Sequence, residues 1–531
     1  MRASLASSIA VTCATVLALP VSLAAPAAAA VPSALGLPPS ASAQPPAPEL
    51  PGATQSLPLE PLGGGADRAL GGGTDDAGVR GLTRRDVRPF SLVGVVWDDP
   101  AATLHGVVQV RTRATGGGVW SEWQDVETHN DEHGADPDTA EGHGRALKGS
   151  TAPLWVGDSD GVEIRVRGDE PLPEGLRLEL VDPGEIPGET PGQDPPATTT
   201  ATAATTATTA TAATTTTATQ AATATVTTAA WARTTAASHA LAGLNAAEAA
   251  VSGVNAQLAP YGAAWIPALS KEATEITLPY VPRAPEAMAP PAPEAAPDEA
   301  QAADEAQAPD EVLAPGEAQA PEQMAAAKPY IGPRPKIITR KGWGADERIR
   351  EKGFVYTKSI KAAFVHHSAT GNNYTCAQAP SVLRSIYRYH VQSSGWRDFG
   401  YNFAVDKCGN IYEGRAGGVS KPVLGAHTLG FNTNSMGIAV LGTFSKSTPP
   451  TAAVTAVARL TAWKLGLHGV NPKGTSYLVS GGGNLYKKGK KVKFNAIAGH
   501  RDGFATECPG VRLYGKLGTA RVSSAKYQGR R

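Results

Sequence analysis

Cysteine is scarce in this chain: four in 531 residues, at positions 13, 376, 408 and 508. No Cys-x-x-Cys pair is present, so the chain lacks the ligand set of a closed, cysteine-rich structural zinc site. An unbroken run of about 20 apolar residues is also missing, and nothing reads as a membrane span. The most apolar stretch, Ile9 to Leu23, is broken at Pro20, with Pro26 just beyond it. Arg2 before it and Ala28-Ala29-Ala30 after it give the layout of a secretory signal over residues 1–30. The context of Cys13, Ala10-Val11-Thr12, is a poor match to a lipoprotein motif.

Net charge is absent as well, but zero is an average over two unlike parts. From Arg334 to Arg531 there are 31 Lys+Arg and 8 Asp+Glu, a balance of +23; the remainder carries 17 and 40, a balance of −23. Such asymmetry points the C-terminal part toward an anionic partner. For an exported protein that partner is expected to be the anionic polymers of a cell wall and not nucleic acid. The bland alternative is solubility and non-specific adhesion.

Composition divides the chain further. Residues 31–85, rich in Pro, Ala and Gly, read as a linker. Residues 86–184 carry short alternating stretches such as Phe90–Trp97, Leu104–Arg113, Val119–Trp123, Ala152–Val156, Val162–Val166 and Leu176–Leu180. They predict a small all-β, sandwich-like domain. In it, Asp158-Ser159-Asp160-Gly161 reads as a plain turn, the alternative being a calcium loop. His129, Asp131, His133 and His143 read as solvated groups, because no apolar strand frames them. Residues 185–332 are a low-complexity linker: a Thr/Ala tract, an Ala-rich helix candidate over about 237–264, and an acidic Ala/Pro/Glu stretch.

From residue 333 to 531 the pattern becomes globular. Strands are expected at Ala362–His367, Tyr401–Val405, Ile411–Glu413 and Met436–Gly442. Helices are expected from about Pro380 and over Thr451–Leu467, with a basic hairpin near Tyr477–Phe494. Alternating strands and helices predict an α/β domain with a mixed central sheet flanked by helices.

Three residues of this part carry chemistry. His366 ends the apolar run Ala362–Val365, and His500 and Cys508 flank a tight loop, Arg501–Glu507. Two imidazoles and a thiolate form a three-ligand set that leaves the fourth position of a zinc ion open, the catalytic arrangement. The competing account is a hydrogen-bonded core histidine and a packed cysteine. If Cys508 binds metal, Cys376 and Cys408 remain as one pair for a disulfide, the alternative being three unrelated thiols outside the cell.

The surrounding motifs include Arg340-Lys341-Gly342-Trp343-Gly344, Val365-His366-His367-Ser368, Gly395-Trp396-Arg397-Asp398-Phe399-Gly400-Tyr401-Asn402-Phe403, Ile411-Tyr412-Glu413-Gly414-Arg415, Gly425-Ala426-His427 with Asn432, and Gly499-His500-Arg501-Asp502 through Cys508-Pro509-Gly510. With these, the region from Ile338 to Tyr514 resembles the peptidoglycan recognition protein and type 2 N-acetylmuramoyl-L-alanine amidase family, which includes phage lysozyme-like amidases. The resemblance implies zinc as cofactor, with His366, His500 and Cys508 as ligands. It implies Tyr401 as a catalytic residue. Thr506 stands where phage members carry a catalytic lysine and many animal members a threonine, which leaves the general acid open. His390, His427 and Asn432 match substrate-contacting positions, and Trp396, with Gly395, matches a pair used with diaminopimelate-type stems. The expected activity is hydrolysis of the bond between N-acetylmuramic acid and L-alanine in peptidoglycan by a secreted, wall-associated enzyme. The alternative is a non-catalytic peptidoglycan-binding protein or surface stalk; non-catalytic members usually lack the cysteine ligand.

Overall fold

The structure, a computed structural model, describes residues 52–62, 79–130, 133–139, 142, 147–185, 244–277 and 330–531. The signal-like segment 1–30, the Thr/Ala tract, the acidic stretch beyond residue 277, Asp131 and His143 lie outside the described residues.

The first domain is one antiparallel sheet of eight strands: β1 (Ala53–Pro58), β2 (Glu60–Pro61), β3 (Val79–Trp97), β4 (Gly106–Ala114), β5 (Gln124–Val126), β6 (Gly149–Ser150), β7 (Leu154–Gly168) and β8 (Arg177–Asp182). Its order is β1-β8-β3-β7-β4-β5, with β2 and β6 on β3. Register shifts along β3, between Leu82 and Arg85 and again around Phe90, bend the long strand. The alternation of β3 assigns its two faces. Val93 and Val95 join Val108, Val110, Ile164 and Leu180 in the domain's own core. Leu92 and Val96, one residue out of phase, join Trp155 and Val181 against the second domain.

The sheet corrects several expectations. Residues 31–85 are not all linker, because β1, β2 and the start of β3 belong to the sheet. Apolar alternation could not reveal β1, since it buries the polar Gln55, whose side chain bonds both the carbonyl and the N–H of Arg88 at 2.8 and 3.2 Å. Asp158–Gly161 is neither a separating turn nor a calcium loop but part of β7: Asp158 accepts from Ser91 and Asp160 pairs with Arg113 at 2.7 Å. Val119–Trp123 forms only an isolated bridge through Trp120.

The second domain is built on a mixed sheet. Its strands are β9 (Trp265–Ile266), β10 (Ile337–Ile338), β11 (Ala362–His367), β12 (Phe403–Val405), β13 (Ile411–Glu413), β14 (Ser435–Val440) and, after a separate basic hairpin β15 (Thr475–Val479) and β16 (Lys491–Asn495), β17 (Ile497–Gly499). The order is β17-β11-β14-β12-β13-β10-β9. Strands β17, β11, β14 and β12 run parallel, and β13 returns antiparallel from the Asp406–Asn410 turn. Helices α1 (Ala246–Val254), α2 (Lys271–Thr277), α3 (Ala379–Arg388), α4 (Thr451–Leu467), α5 (Val511–Tyr514) and α6 (Leu517–Tyr527) complete it. One face of the sheet, with Val365, Ile438 and Val440, packs on α4 and α6. The other, with Ala404 and Ala439, packs on α3, which is itself covered by Leu92, Val96 and Trp155 of the β domain.

Residues 244–277, expected within the linker 185–332, join this second domain. Asn245 caps α1, accepting from Ala247 and Glu248 while Glu248 accepts from the Asn245 N–H. Asn255 then donates to the buried Glu413 at 2.8 Å. Arg340 of the Arg-Lys-Gly-Trp motif is fully buried and holds Glu347 at 2.6 Å and Asp398 at 3.0 Å, so that motif braces the scaffold.

The ammonium of Lys464 in α4 is buried and donates to the carbonyls of Val419 and Lys421 at 2.7 and 2.6 Å. Burial first, and Lys421 second, lower its pKa to about 7, against an unfolded value of 10.5. Between these values the unfolded chain binds a proton the folded chain does not, so stability rises with pH through this window. Urea midpoints at pH 7 and 9 should show wild type gaining relative to Lys464→Met by up to about 1.4 kcal/mol per pH unit. Equal pH slopes would show that the lysine stays charged.

Candidate metal centre

Sheet register builds the site. In the parallel pair β11–β17, Val365 lies opposite Gly499. His366, still within β11, and His500, just past the end of β17, follow these residues, and their ring centroids lie 4.4 Å apart. The chain then turns at once: Gly503 N–H donates to the His500 carbonyl at 2.9 Å, and Arg501 N–H to the Cys508 carbonyl at 3.0 Å. This closed loop brings Cys508 Sγ to 3.8 Å from His366 Nδ1. His367, next along β11, turns to the opposite face, where its Nδ1 accepts from Phe444 N–H.

A fourth donor comes from the β domain. His133 was expected to be solvated; instead it is buried, with Nε2 3.9 Å from Cys508 Sγ and ring centroids 4.6 Å from His500 and 5.3 Å from His366. The expectation failed because the segment has no apolar periodicity of its own and is buried by the other domain. The ligating atoms of His133, His366, His500 and Cys508 all lie within 4.8 Å of one another. Three residues on, Asp136 Oδ1 accepts from Gly430 N–H at 2.6 Å and from Asn432 Nδ2 at 2.9 Å, and the Gly134 carbonyl also accepts from Asn432 Nδ2, at 2.9 Å.

The donor set fits zinc. Zinc–nitrogen and zinc–sulfur bonds of roughly 2.0 and 2.3 Å at a tetrahedral angle separate N and S by about 3.5 Å, close to the 3.8 and 3.9 Å between Cys508 and two of the imidazoles. Burial, then the neighbouring His500, His133 and His427, hold His366 well below the ordinary histidine range. Burial lowers His133 to about 3. Neutral imidazole is the form a metal requires. Thr428 Oγ1 lies 3.4 Å from His366 Nε2 and so occupies the far ring nitrogen, while Nδ1 faces Cys508.

The remaining site candidates surround this point. Tyr401 is buried, its ring centroid 5.2 Å from His366. The Thr506 hydroxyl accepts from Cys508 N–H at 3.1 Å. His390 stacks on Trp396 at 4.3 Å and accepts from Gly400 N–H, so these two form one packed wall. His427 is fully buried, 3.0 Å from Thr428 Oγ1, and Asn432 Oδ1 accepts from the N–H groups of His427 and Thr428. Cys376 and Cys408 are joined in a disulfide. Sequence reasoning missed Thr428, Asp136 and the role of His133; only Thr428, next to His427, stood beside a quoted motif.

Residues 356–511 match the N-acetylmuramoyl-L-alanine amidase family, and residues 39–204 match the Rv3811 N-terminal galactose-binding domain-like family. Peptidoglycan-recognition protein SC2 of Drosophila melanogaster is 30% identical over 183 residues, which are 34% of this chain and 85% of that protein. The chain belongs to the peptidoglycan-recognition protein and N-acetylmuramoyl-L-alanine amidase family. Another relative in this family, the N-acetylmuramoyl-L-alanine amidase of Homo sapiens, is 31% identical over 190 residues, 35% of this chain and 28% of that protein. The structure of wild-type Drosophila PGRP-LB aligns with 26% identity over 34% of this chain and 92% of that one, with a TM-score of 0.28. Membership supports an amidase or a peptidoglycan-binding activity. Among the described residues no helix is long and apolar enough to cross a membrane.

A metal that binds only the folded chain raises its stability by roughly 4 kcal/mol at a thousandfold excess over Kd. Zinc should therefore raise the thermal midpoint of the metal-free protein by roughly 10 °C, and Cys508→Ala should remove most of that shift. An unchanged shift in the variant, read by calorimetry, would exclude Cys508 as a ligand.

Proposed function

We propose that this chain is an exported, zinc-dependent N-acetylmuramoyl-L-alanine amidase that hydrolyses the amide between the lactyl group of N-acetylmuramic acid and L-alanine in peptidoglycan. The observation that carries this reading is the convergence of His366, His500 and Cys508 on one point beside the Tyr401 ring. Zinc bound there would supply Lewis acidity toward the amide carbonyl and acidify a water molecule. His366, His500 and Cys508 would hold the ion, and Thr428 Oγ1 would accept from the Nε2–H of His366. Tyr401 offers a phenolic donor in a dry setting, where a hydrogen bond to the developing oxyanion is strongest. Thr506 orders the backbone of Cys508 and so acts on the position of the thiolate.

His390, Trp396, His427 and Asn432 would contact the muramyl peptide, with Trp396 favouring a diaminopimelate-type stem. Lys487, Lys488, Lys490, Lys491 and Lys493 of the hairpin are exposed and would hold the protein on anionic wall polymers. The signal-like start and the Cys376–Cys408 disulfide agree with a secreted, wall-associated location. A second reading, binding without turnover, is favoured by one observation: a fourth donor, His133, sits where a catalytic site keeps an open position.

Mass spectrometry of wall fragments after incubation with the zinc-loaded chain separates the two. Free N-terminal L-alanine and intact glycan strands are expected. Tyr401→Phe should lower kcat by about 10²–10³-fold with its zinc content unchanged, and Cys508→Ala should lose both zinc and turnover. Cleavage at another bond, or full turnover in Cys508→Ala, would reject the proposal.

A further inference from the structure

We propose that the β domain is an intrachain inhibitor of the metal site, with His133 as a fourth protein ligand that closes it and Gly134 and Asp136 occupying the polar groups of the adjoining groove. This rests on the metal-site reading above. It is carried by three observations that are independent of one another.

The first is the donor set. Three protein ligands and an open vertex make a hydrolytic zinc site, whereas four make a closed one. Here the fourth donor lies as near to Cys508 Sγ, at 3.9 Å, as His366 does at 3.8 Å. The second is occupancy of the groove. Asn432 offers two side-chain N–H bonds, and both go to the β domain, one to the Gly134 carbonyl and one to Asp136 Oδ1. The same carboxylate takes the Gly430 N–H at 2.6 Å. Burial raises the pKa of Asp136, and the Gly430 and Asn432 bonds lower it. Asp138 adds an ion pair to Lys488 of the basic hairpin. A bound muramyl peptide would have to displace these contacts.

The third is how the inhibiting segment is held. The β-domain sheet packs on α3 through Leu92, Val96 and Trp155. Gly94 lies against Tyr389, whose hydroxyl reaches the carbonyls of Val95 and Thr151 at 3.2 and 3.0 Å. Arg384 donates to the carbonyls of Pro183 and Gly184. With the domain seated this way, His366 and His500 are 0% exposed and Cys508 2%, and the cavity that reaches Cys508, Tyr401 and Thr506 is walled in part by Glu127, His129 and Asn130 of the β domain. His133 itself lies outside β5 and β6, in bends and turns, so it can leave the metal without breaking a strand pair.

Cobalt(II) in place of zinc, in the full chain, tests this without turnover. Azide binds an open coordination position and changes the visible spectrum of the metal. The wild-type spectrum should be insensitive to azide, while His133→Ala should respond. Asp136→Ala, which keeps every donor but loses the Gly430 and Asn432 bonds, should respond in part, and it serves if the first variant folds poorly. The zinc-loaded His133→Ala chain should also hydrolyse wall fragments roughly tenfold or more faster than wild type, since its competent fraction is no longer limited by the closed state. Equal azide responses in wild type and both variants would overturn the proposal, as would a measurable wild-type turnover that does not rise in His133→Ala. If the azide pattern holds but no form cleaves peptidoglycan, the amidase reading fails while closure by His133 stands.

Discussion

Four side chains able to ligate a metal, His133, His366, His500 and Cys508, meet at one buried point. Burial and mutual proximity hold His366 well below the usual range, and burial takes His133 to about 3. The four donor atoms lie within 4.8 Å of one another, and neutral imidazoles beside a thiol are a set that fits a divalent cation. The surrounding fold holds these four groups together. The parallel pairing of β11 with β17 levels His366 and His500, the Arg501–Cys508 bond closes the loop that presents the thiol, and Thr428 Oγ1 lies beside the His366 ring.

The two domains divide the work along α3. Its inner side packs on the mixed sheet that carries His366, and its outer side receives the bent sheet of the β domain. The β domain is therefore more than a tethered appendage: its outward stripe of Leu92, Gly94 and Val96 fits the helix, and its β5–β6 connection carries His133 and Asp136 into the site. The domain that matches the amidase family is here joined to a second domain that shares the surroundings of the candidate metal site.

Much of this was legible from residue order because the signals were local. The apolar run of β11, the helix over Thr451–Leu467 and the His500–Cys508 loop each announce themselves within a few residues. What escaped was non-local or polar. β1 buries Gln55 in place of an aliphatic residue, so no alternation marks it. Helix α1 was visible only as an Ala-rich stretch, although Asn245 and Glu248 spell its capping box. His133 lies in a segment whose own residues cannot bury it, and its burial arises from a partner 375 positions away, Cys508. Sequence periodicity reports which residues face a core that their own element helps to build; it is silent on a histidine enclosed by another domain.

The most direct measurement is the zinc K-edge X-ray absorption spectrum of the full-length, zinc-loaded protein, which counts the atoms bound to the ion. The account predicts one sulfur at roughly 2.3 Å and three imidazole nitrogens at roughly 2.0–2.1 Å. A shell without sulfur, or one made mainly of oxygen, would contradict it.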